Sequence, residues 1–158
     1  MSSLADAIVQ SDLDIAPLLL PAQVLRNDAQ AIKAAQELAH VARLQAAKRD
    51  QLRKLPWSEI ELFTRSGLGS ISIPREYGGP QVSFVTLAEV FAIISAADPA
   101  LGQIPQNQFG ILNLVLGSAT EAQKKQLFKS VLEGWRIGNA GPEPVSYTHL
   151  TLPTKRIV

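Results

Sequence analysis

The sequence predicts an all-α domain. Apolar and small residues recur at helical spacing in several long segments, and Asp, Ser or Thr precedes most of these segments while Gly or Pro follows them. Before the strand-like residues 135–140, alternation with a period of two is confined to residues 68–73. The chain has 158 residues, of which 46% are hydrophobic, so it is long enough to bury one core.

Residues 1–27 are predicted to form an N-terminal arm. They contain Pro17 and Pro21 and show no sustained apolar period. We expect this arm to pack on the body of the domain at most through residues 18–20.

The first helix is predicted to begin at Asp28, a typical N-cap, and to end near Lys54, before Pro56. Its inward face consists mainly of small residues, which implies that another element packs closely against it. These residues are Ala31, Ala34, Ala35, Leu38, Ala42 and Ala46.

A short second helix is predicted with Pro56 as its first residue and Gly67 as its left-handed stop. Residues 68–73 then alternate briefly in hydropathy, and Pro74 closes that segment. The residues that share the apolar face of this helix are Trp57, Ile60 and Phe63.

Residues 74–79 have the composition of a rigid turn. Pro74 fixes its own φ, while Gly78 and Gly79 permit the positive φ that bulky residues avoid. We expect a structural connection here rather than a catalytic loop, with Tyr77 packed against the core.

Ser83 is predicted to cap a third helix that ends at Asp98 and Pro99. A fourth helix over residues 100–116 is almost uncharged, so we expect it to be buried. Pro105 inside this segment removes a hydrogen-bond donor and clashes with the preceding turn, which predicts a kink or a break.

The last helix is predicted from a capping-box pattern, in which Thr120 is the N-cap and Gln123 lies three residues later. Gly134 is expected to end the helix. Residues 135–140 then have the pattern of a strand.

Residues 144–158 are predicted to be a non-native tail. From Val145 the chain reads VSYTHLTLPTKRIV, a stretch with three Thr, as many as all the preceding residues contain. The string resembles a translated sequencing adapter, with residue 144 at the junction. Function is therefore inferred from residues 1–143.

The composition argues against several kinds of partner. Lys and Arg number 15 against 14 Asp and Glu, and only 18% of residues are charged, so we expect neither nucleic-acid nor membrane binding. The longest apolar run, residues 15–22, is too short to span a bilayer. The absence of Cys and the two His predict no metal site and suit the cytoplasm, and His40 is interpreted as an ordinary helix residue.

The order of the motifs resembles the N-terminal helical domain of the acyl-CoA dehydrogenase superfamily of flavoproteins. The motifs are Gly67-Leu68, Pro74-Arg75-Glu76-Tyr77-Gly78-Gly79, Asp98-Pro99, and Gly117 with Glu121 and Gln123. Within the superfamily the chain is most similar to the flavin-dependent monooxygenase-like branch, the sulfur-acquisition oxidoreductases related to dibenzothiophene monooxygenase. That finer resemblance is carried by Leu55-Pro56-Trp57, Ser95-Ala96-Ala97-Asp98, Gly102-Gln103-Ile104-Pro105-Gln106-Asn107 and Gly134-Trp135-Arg136-Ile137-Gly138-Asn139-Ala140-Gly141.

The resemblance implies that residues 28–134 form the helical domain and that residues 135–143 begin a middle β domain, where the chain is truncated. It implies a flavin cofactor, FMN or FAD, held mainly by domains absent from this chain, so the chain alone is expected to be inactive. The leading hypothesis for the intact gene product is a reduced-flavin monooxygenase that acts on a small organosulfur compound. A flavin reductase partner and a full-length homotetramer are implied with it.

Two alternatives remain open. One is an acyl-CoA dehydrogenase that removes hydrogens from the CH–CH bond of a CoA thioester. The other is a noncatalytic helical interaction module that binds only a partner.

Four amide residues are the candidate site residues, and no catalytic residue is assigned. Gln106, Asn107 and Gln108 follow Pro105, and the resemblance implies that this stretch faces the cavity in front of the flavin, with substrate or flavin contact from Asn107 or Gln108. An equal alternative is that these amides satisfy carbonyls freed by the proline. The resemblance places Asn139 near the reactive edge of the flavin. Family members often carry His where this chain has Gln108, and an amide cannot titrate.

Overall fold

Helices account for all the regular structure that the computed structural model describes, which covers residues 22–138. No strand occurs within those residues, and the predicted all-α class is confirmed. The helices are α1 Asp28–Leu52, α2 Trp57–Arg65, α3 Phe84–Ala97, α4 Pro99–Gln103, α5 Gln106–Ser118 and α6 Glu121–Leu132, and two 3-10 turns span Leu68–Ser70 and Arg75–Tyr77.

The core is built around the contact between α1 and α3. Ala31, Ala35 and Ala42 on α1 are fully buried, which lets the two helices approach closely, as the small residues predicted. The buried residues of α3 are Thr86, Val90, Ile94 and Ala97. The larger fully buried side chains around this contact include Leu38, Leu68, Ile71, Ile73, Leu101 and Phe128.

The ends of the first two helices differ from the prediction by one or two residues. Asn27, not Asp28, is the N-cap of α1, because its side chain accepts a hydrogen bond from the Gln30 amide at 3.0 Å. The Asp28 carboxylate instead accepts a hydrogen bond from the Thr86 hydroxyl at 2.8 Å, which links α1 to α3. The left-handed Arg53 ends α1 before Lys54 is reached.

Pro56 is the N-cap of α2 and not its first residue, which is Trp57. Gly67 has a φ of 81°, so the predicted left-handed stop is confirmed. Residues 68–73 form a 3-10 turn, a further turn and one bend rather than a strand. The reason is that the Ser70 and Ile73 amides bond locally, to Gly67 and Ser70 carbonyls, and not across a ladder.

Within the described residues, the N-terminal arm packs on the domain through Leu25, a contact that was not expected. Leu25 is 7% exposed and belongs to the core, and the Gln23 amide donates to the Arg65 carbonyl at 2.9 Å. The expected contact, residues 18–20, lies outside the described residues. The carbonyl of Gln23 also lies against Gly67, where a Cβ would come within 2.2 Å of it.

The rigid turn at residues 74–79 is present, although its two glycines serve different purposes. Gly78 has a φ of 90°, as expected. Gly79 is required by close approach instead, because a Cβ there would lie 2.1 Å from the Ile73 carbonyl oxygen. The amides of Tyr77 and Gly79 both donate to the Pro74 carbonyl and close the turn.

The break at Pro105 is confirmed. α4 ends at Gln103 and α5 begins at Gln106, and Asp98 caps α4 by accepting hydrogen bonds from two backbone amides. The expectation that residues 100–116 are buried throughout was wrong. Leu101 is fully buried, but Leu114 is 65% exposed, because α5 turns only one face toward the core.

The capping box of α6 is also confirmed, since Thr120 and Gln123 exchange the expected hydrogen bonds. Gly134 follows the helix with a φ of 101°. The strand predicted over residues 135–140 is not seen in residues 135–138, and the rest of it lies outside the described residues together with the predicted tail.

Tyr77 joins the rigid turn to α6. Its ring is half-buried and meets the edge of Phe128, with ring centroids 4.9 Å apart, and its hydroxyl donates to the Glu121 carboxylate at 2.8 Å. This hydrogen bond is the main cause that raises the pKa of Tyr77 to about 12, with smaller contributions from desolvation and from the negative charges of Glu121 and Glu76. The pKa of Glu121 is lowered, first by its hydrogen bond to Lys124 and then by Tyr77.

We predict that Tyr77 ionises near pH 12, well above the usual value near 10. Because the folded pKa is raised, this residue stabilises the fold fully below about pH 10, and its contribution is lost as the pH rises toward 12. The measurement is a phenolate absorbance titration of the parent chain and of Tyr77→Phe, with far-ultraviolet circular dichroism to show that the helices persist. If the difference between the two titration curves were centred near pH 10, it would contradict the hydrogen bond from Tyr77 to Glu121.

Candidate functional site

An open apolar cleft of about 270 Å³ lies between α2, the break before α5, and the residues that follow α6. Gln108 and Arg136 supply its only polar side chains among the described residues. Such a cleft suits an apolar ligand, since pockets for small molecules are commonly lined by hydrophobic and aromatic groups. The lining residues are Leu55, Pro56, Trp57, Ile60, Phe63, Ile104, Pro105, Gln108, Arg136, Ile137 and Gly138.

Two prolines give the cleft its opposing walls. Pro56 ends the connection from α1 and starts α2, so that Trp57 stands in the first turn of α2 with 58% of its surface exposed. Pro105 interrupts the helix between α4 and α5, and Ile104 beside it is 48% exposed. The exposed apolar side chains at the cleft are therefore products of helix breaks that the sequence signals directly.

Gln108 is buried and uses both ends of its side chain. Its Nε2 donates to the Gly69 carbonyl at 2.7 Å, and its Oε1 accepts from the Ile137 amide at 3.3 Å. The side chain therefore ties α5 to the 3-10 turn after α2 and to the segment after α6. Neither partner is a carbonyl freed by Pro105.

Arg136 fixes that last segment against α2. Its Nη1 donates to Glu61 at 3.0 Å and to the Thr64 hydroxyl at 3.1 Å, and Glu61 also pairs with Arg65 at 2.7 Å. Arg136 therefore shares the Glu61 carboxylate with Arg65, and 44% of its side chain stays exposed. The other described lining side chains carry no charge, so most of the surface that a ligand would meet is apolar.

The structure brings some of the predicted site residues together and separates others. Gln108 lines the cleft, opposite Gly138, whereas Gln106 and Asn107 are exposed and do not line it. Asn139 lies outside the described residues and directly follows Gly138. The roles of these four amides stay predictions.

Several lining residues received no role from the sequence. Trp57, Ile60 and Phe63 were recognised only as one helix face, and Arg136 was not singled out. The sequence did offer a signal, because the Leu55-Pro56-Trp57 motif places an aromatic residue directly after a helix-breaking proline.

Other kinds of site find no support in residues 22–138. No group of three His, Cys, Asp or Glu residues there could hold a metal ion, and His40 is exposed on α1. None of the helices in that range is both long and apolar enough to cross a membrane.

Residues 26–135 match the family model described as the acyl-CoA dehydrogenase N-terminal domain. The chain therefore belongs to the acyl-CoA dehydrogenase family, as its motifs indicated.

The individual relatives point to sulfur chemistry. A dibenzothiophene monooxygenase from Rhodococcus erythropolis is 31% identical over 128 residues, which is 80% of this chain and 30% of that protein. A 3-sulfinopropanoyl-CoA desulfinase from Cupriavidus necator is 29% identical over 90 residues, or 56% of this chain and 23% of its own length. The chain thus spans about 30% of the length of its monooxygenase relatives.

The solved structures agree with this finding. The crystal structure of the dibenzothiophene monooxygenase TdsC from Paenibacillus sp. A11-2 has a TM-score of 0.66 and 33% identity, and the match covers 71% of this chain and 29% of TdsC. A second TdsC structure, in complex with FMN and indole, matches with a TM-score of 0.65.

We predict that Gln108→Ala lowers the free energy of unfolding by about 1–3 kcal/mol, because the buried Gly69 carbonyl and the Ile137 amide both lose their partner. The neighbouring Asn107→Ala is the matched control, since that amide is exposed, and it should change stability by less than about 0.5 kcal/mol. Urea unfolding measures both variants. Equal midpoints for the two would show that the Gln108 hydrogen bonds do not hold the segment.

Proposed function

We propose that this chain forms the N-terminal helical part of a longer flavin-dependent monooxygenase that oxygenates a small organosulfur compound. The observation that carries the proposal is the apolar cleft, in which the polar side chains of Gln108 and Arg136 are already engaged with the protein itself. The similarity to dibenzothiophene monooxygenases supports the choice of substrate class.

The cleft favours a flat, uncharged aromatic ligand. Trp57 offers an exposed ring surface, the buried Phe63 lies at the cleft floor with little of its ring accessible, and Ile104 and Ile137 add aliphatic contacts. A fused aromatic thioether matches these surfaces and needs no charged partner. TdsC has been solved with indole, which has a similar fused-ring shape.

A flavin, FMN or FAD, is part of this proposal, and TdsC has been solved with FMN. When bound in its reduced form, the flavin would supply the activation of O2 for transfer of one oxygen atom to the substrate. Among residues 22–138, no heavy atom lies within 4 Å of a Cβ built on Gly138, so a ring could approach the backbone closely there. In this proposal the flavin phosphate binds to parts of the protein beyond this chain, because Arg136 is held by Glu61 and Thr64.

The chain's own residues would shape and orient the substrate site. Gln108 holds the Ile137 amide and thereby anchors the segment that ends at Gly138. Asn139 would then contact the flavin and the substrate with its amide. Gln106 and Asn107 are exposed on α5 and do not line the cleft, so they would contact the flavin or the substrate only in a cavity completed by the rest of the protein. A flavin reductase partner, a homotetramer and a cytoplasmic location complete the proposal.

An acyl-CoA-dependent activity is the second candidate, because the desulfinase of Cupriavidus necator is also a relative. Its substrate would place a CoA thioester, rather than a fused ring, at the cleft. Product analysis separates the two candidates.

The test uses the native gene product that spans the full length of its relatives, which we call the long form. Supplied with reduced FMN, O2 and benzothiophene, it should release an S-oxygenated product that carries one atom of labelled O2. Mass spectrometry identifies that product. Dehydrogenation or desulfination of an acyl-CoA, with no oxygenated thioether, would contradict the proposal.

In the long form we predict that Asn139→Ala slows oxygenation roughly five- to 150-fold, since loss of one hydrogen bond to the reacting groups costs on the order of 1–3 kcal/mol. Folding should be almost unaffected. The assay follows product and hydrogen peroxide together. If product and hydrogen peroxide both formed at the parental rates, Asn139 would have no role in the reaction.

A further inference from the structure

The guanidinium of Arg49 on α1 is buried between two carboxylates from other elements. It pairs with Glu59 on α2 and with Asp98 at the start of α4, where Nη2 and Oδ2 are 2.5 Å apart. The three side chains are 11%, 5% and 8% exposed. We call this cluster of Arg49, Glu59 and Asp98 the arginine triad.

Every carboxylate oxygen of the arginine triad has a partner. The second oxygen of Glu59 accepts a hydrogen bond from the Ser58 hydroxyl at 2.9 Å. The second oxygen of Asp98 accepts from the amides of Ala100 and Leu101 and so caps α4. Both carboxylates therefore have partners for both of their oxygens, as a buried ion cluster requires.

Each carboxylate of the triad lies on an element that forms one wall of the apolar cleft. Glu59 is on α2, between the lining residues Trp57 and Ile60. Asp98 caps the short helix that leads directly into Ile104 and Pro105 on the opposite wall. The Arg49 guanidinium thus connects the two walls through a rigid, forked group.

The arginine triad also lies next to the cleft, as expected if it holds the cleft walls in place. Arg49 and Asp98 line a separate groove of about 580 Å³, and Leu55 and Pro56 line both this groove and the cleft. The partition between the two spaces is therefore one connecting segment, and it lies beside the triad.

From these contacts we infer that Arg49 is a positioning residue that sets the separation of the two cleft walls and, through it, the fit of a ring-shaped substrate. The claim about substrate fit rests on the proposed function, whereas the claim about wall separation concerns the domain alone. The positive charge of Arg49 is essential to this placement because, without it, two buried carboxylates would face each other uncompensated.

The separation of the walls can be measured in this chain with a fluorescent label. The sequence has no Cys and two Trp, so Ile104→Cys provides one site for bimane, and Trp135→Phe leaves Trp57 as the sole Trp. A Trp quenches bimane only at short range. The ratio of bimane intensity with Trp57→Phe to that with Trp57 therefore reports how close the walls are.

We expect Arg49→Lys to move this ratio toward unity, because a lysine keeps the charge but cannot span both carboxylates as a fork does. A ratio equal to that of the parent would overturn the inference. The triple variant Arg49→Met, Glu59→Gln and Asp98→Asn removes all three charges without leaving one unpaired. If Arg49→Lys does not fold, the quenching ratio of this triple variant is measured instead, with the same expected shift toward unity and the same contradicting result.

Two controls separate positioning from general destabilisation. Lys54→Met removes a positive charge from the same groove at an exposed residue and should leave the quenching ratio unchanged. Val90→Ala weakens the core between α1 and α3, away from the cleft, and should lower the urea midpoint without moving the ratio.

The long form tests the link to the substrate. Arg49→Lys should raise the KM for benzothiophene more than it lowers kcat, because a misplaced wall weakens binding in the ground state and the transition state alike. An unchanged KM despite a changed quenching ratio would overturn the substrate part of the inference. Failure of every long form to oxygenate benzothiophene would refute the proposed function and leave the quenching result standing.

Discussion

The burial of the Arg49 guanidinium imposes the strongest constraint on this fold. Removing three charged groups from water costs several kcal/mol for each ion, and the cost is offset only where all their oxygens and donors find partners. Here the partners come from α1, from the first turn of α2 and from the cap of α4. The ends of these helices must therefore meet at one point, and the path of the chain between them follows from that meeting.

The apolar cleft is a consequence of how the helices end at that point. Pro56 and Pro105 interrupt two helical segments, and each break leaves apolar side chains outside the core. Gln108 then satisfies the Gly69 carbonyl and the Ile137 amide, which closes the third side. Because the polar groups bond to the protein, the space between the walls remains apolar, and this property connects the fold to the proposed thioether substrate.

Most of the helices could be predicted from the sequence because their signals are local. Ser83, the Thr120 capping box and Pro105 each act within one turn of their own position, and the structure confirms all three. The contacts that shape the site are not local. Asp98 lies 49 residues from its arginine and Gln108 lies 39 residues from its carbonyl, so no spacing rule pairs them. The helical spacing predicted the all-α class and the family resemblance agreed with it, but the resemblance assigned the neighbouring exposed amides to the site as readily as the buried one.

The central claim is that the cleft of this helical domain receives the organosulfur substrate. A crystal structure of the long form with flavin and benzothiophene bound tests it most directly. The account predicts that the ligand lies against Trp57, Ile104 and Ile137, with no direct charge partner from this domain. A ligand bound only at another surface, with these three side chains in contact with protein instead, would contradict it.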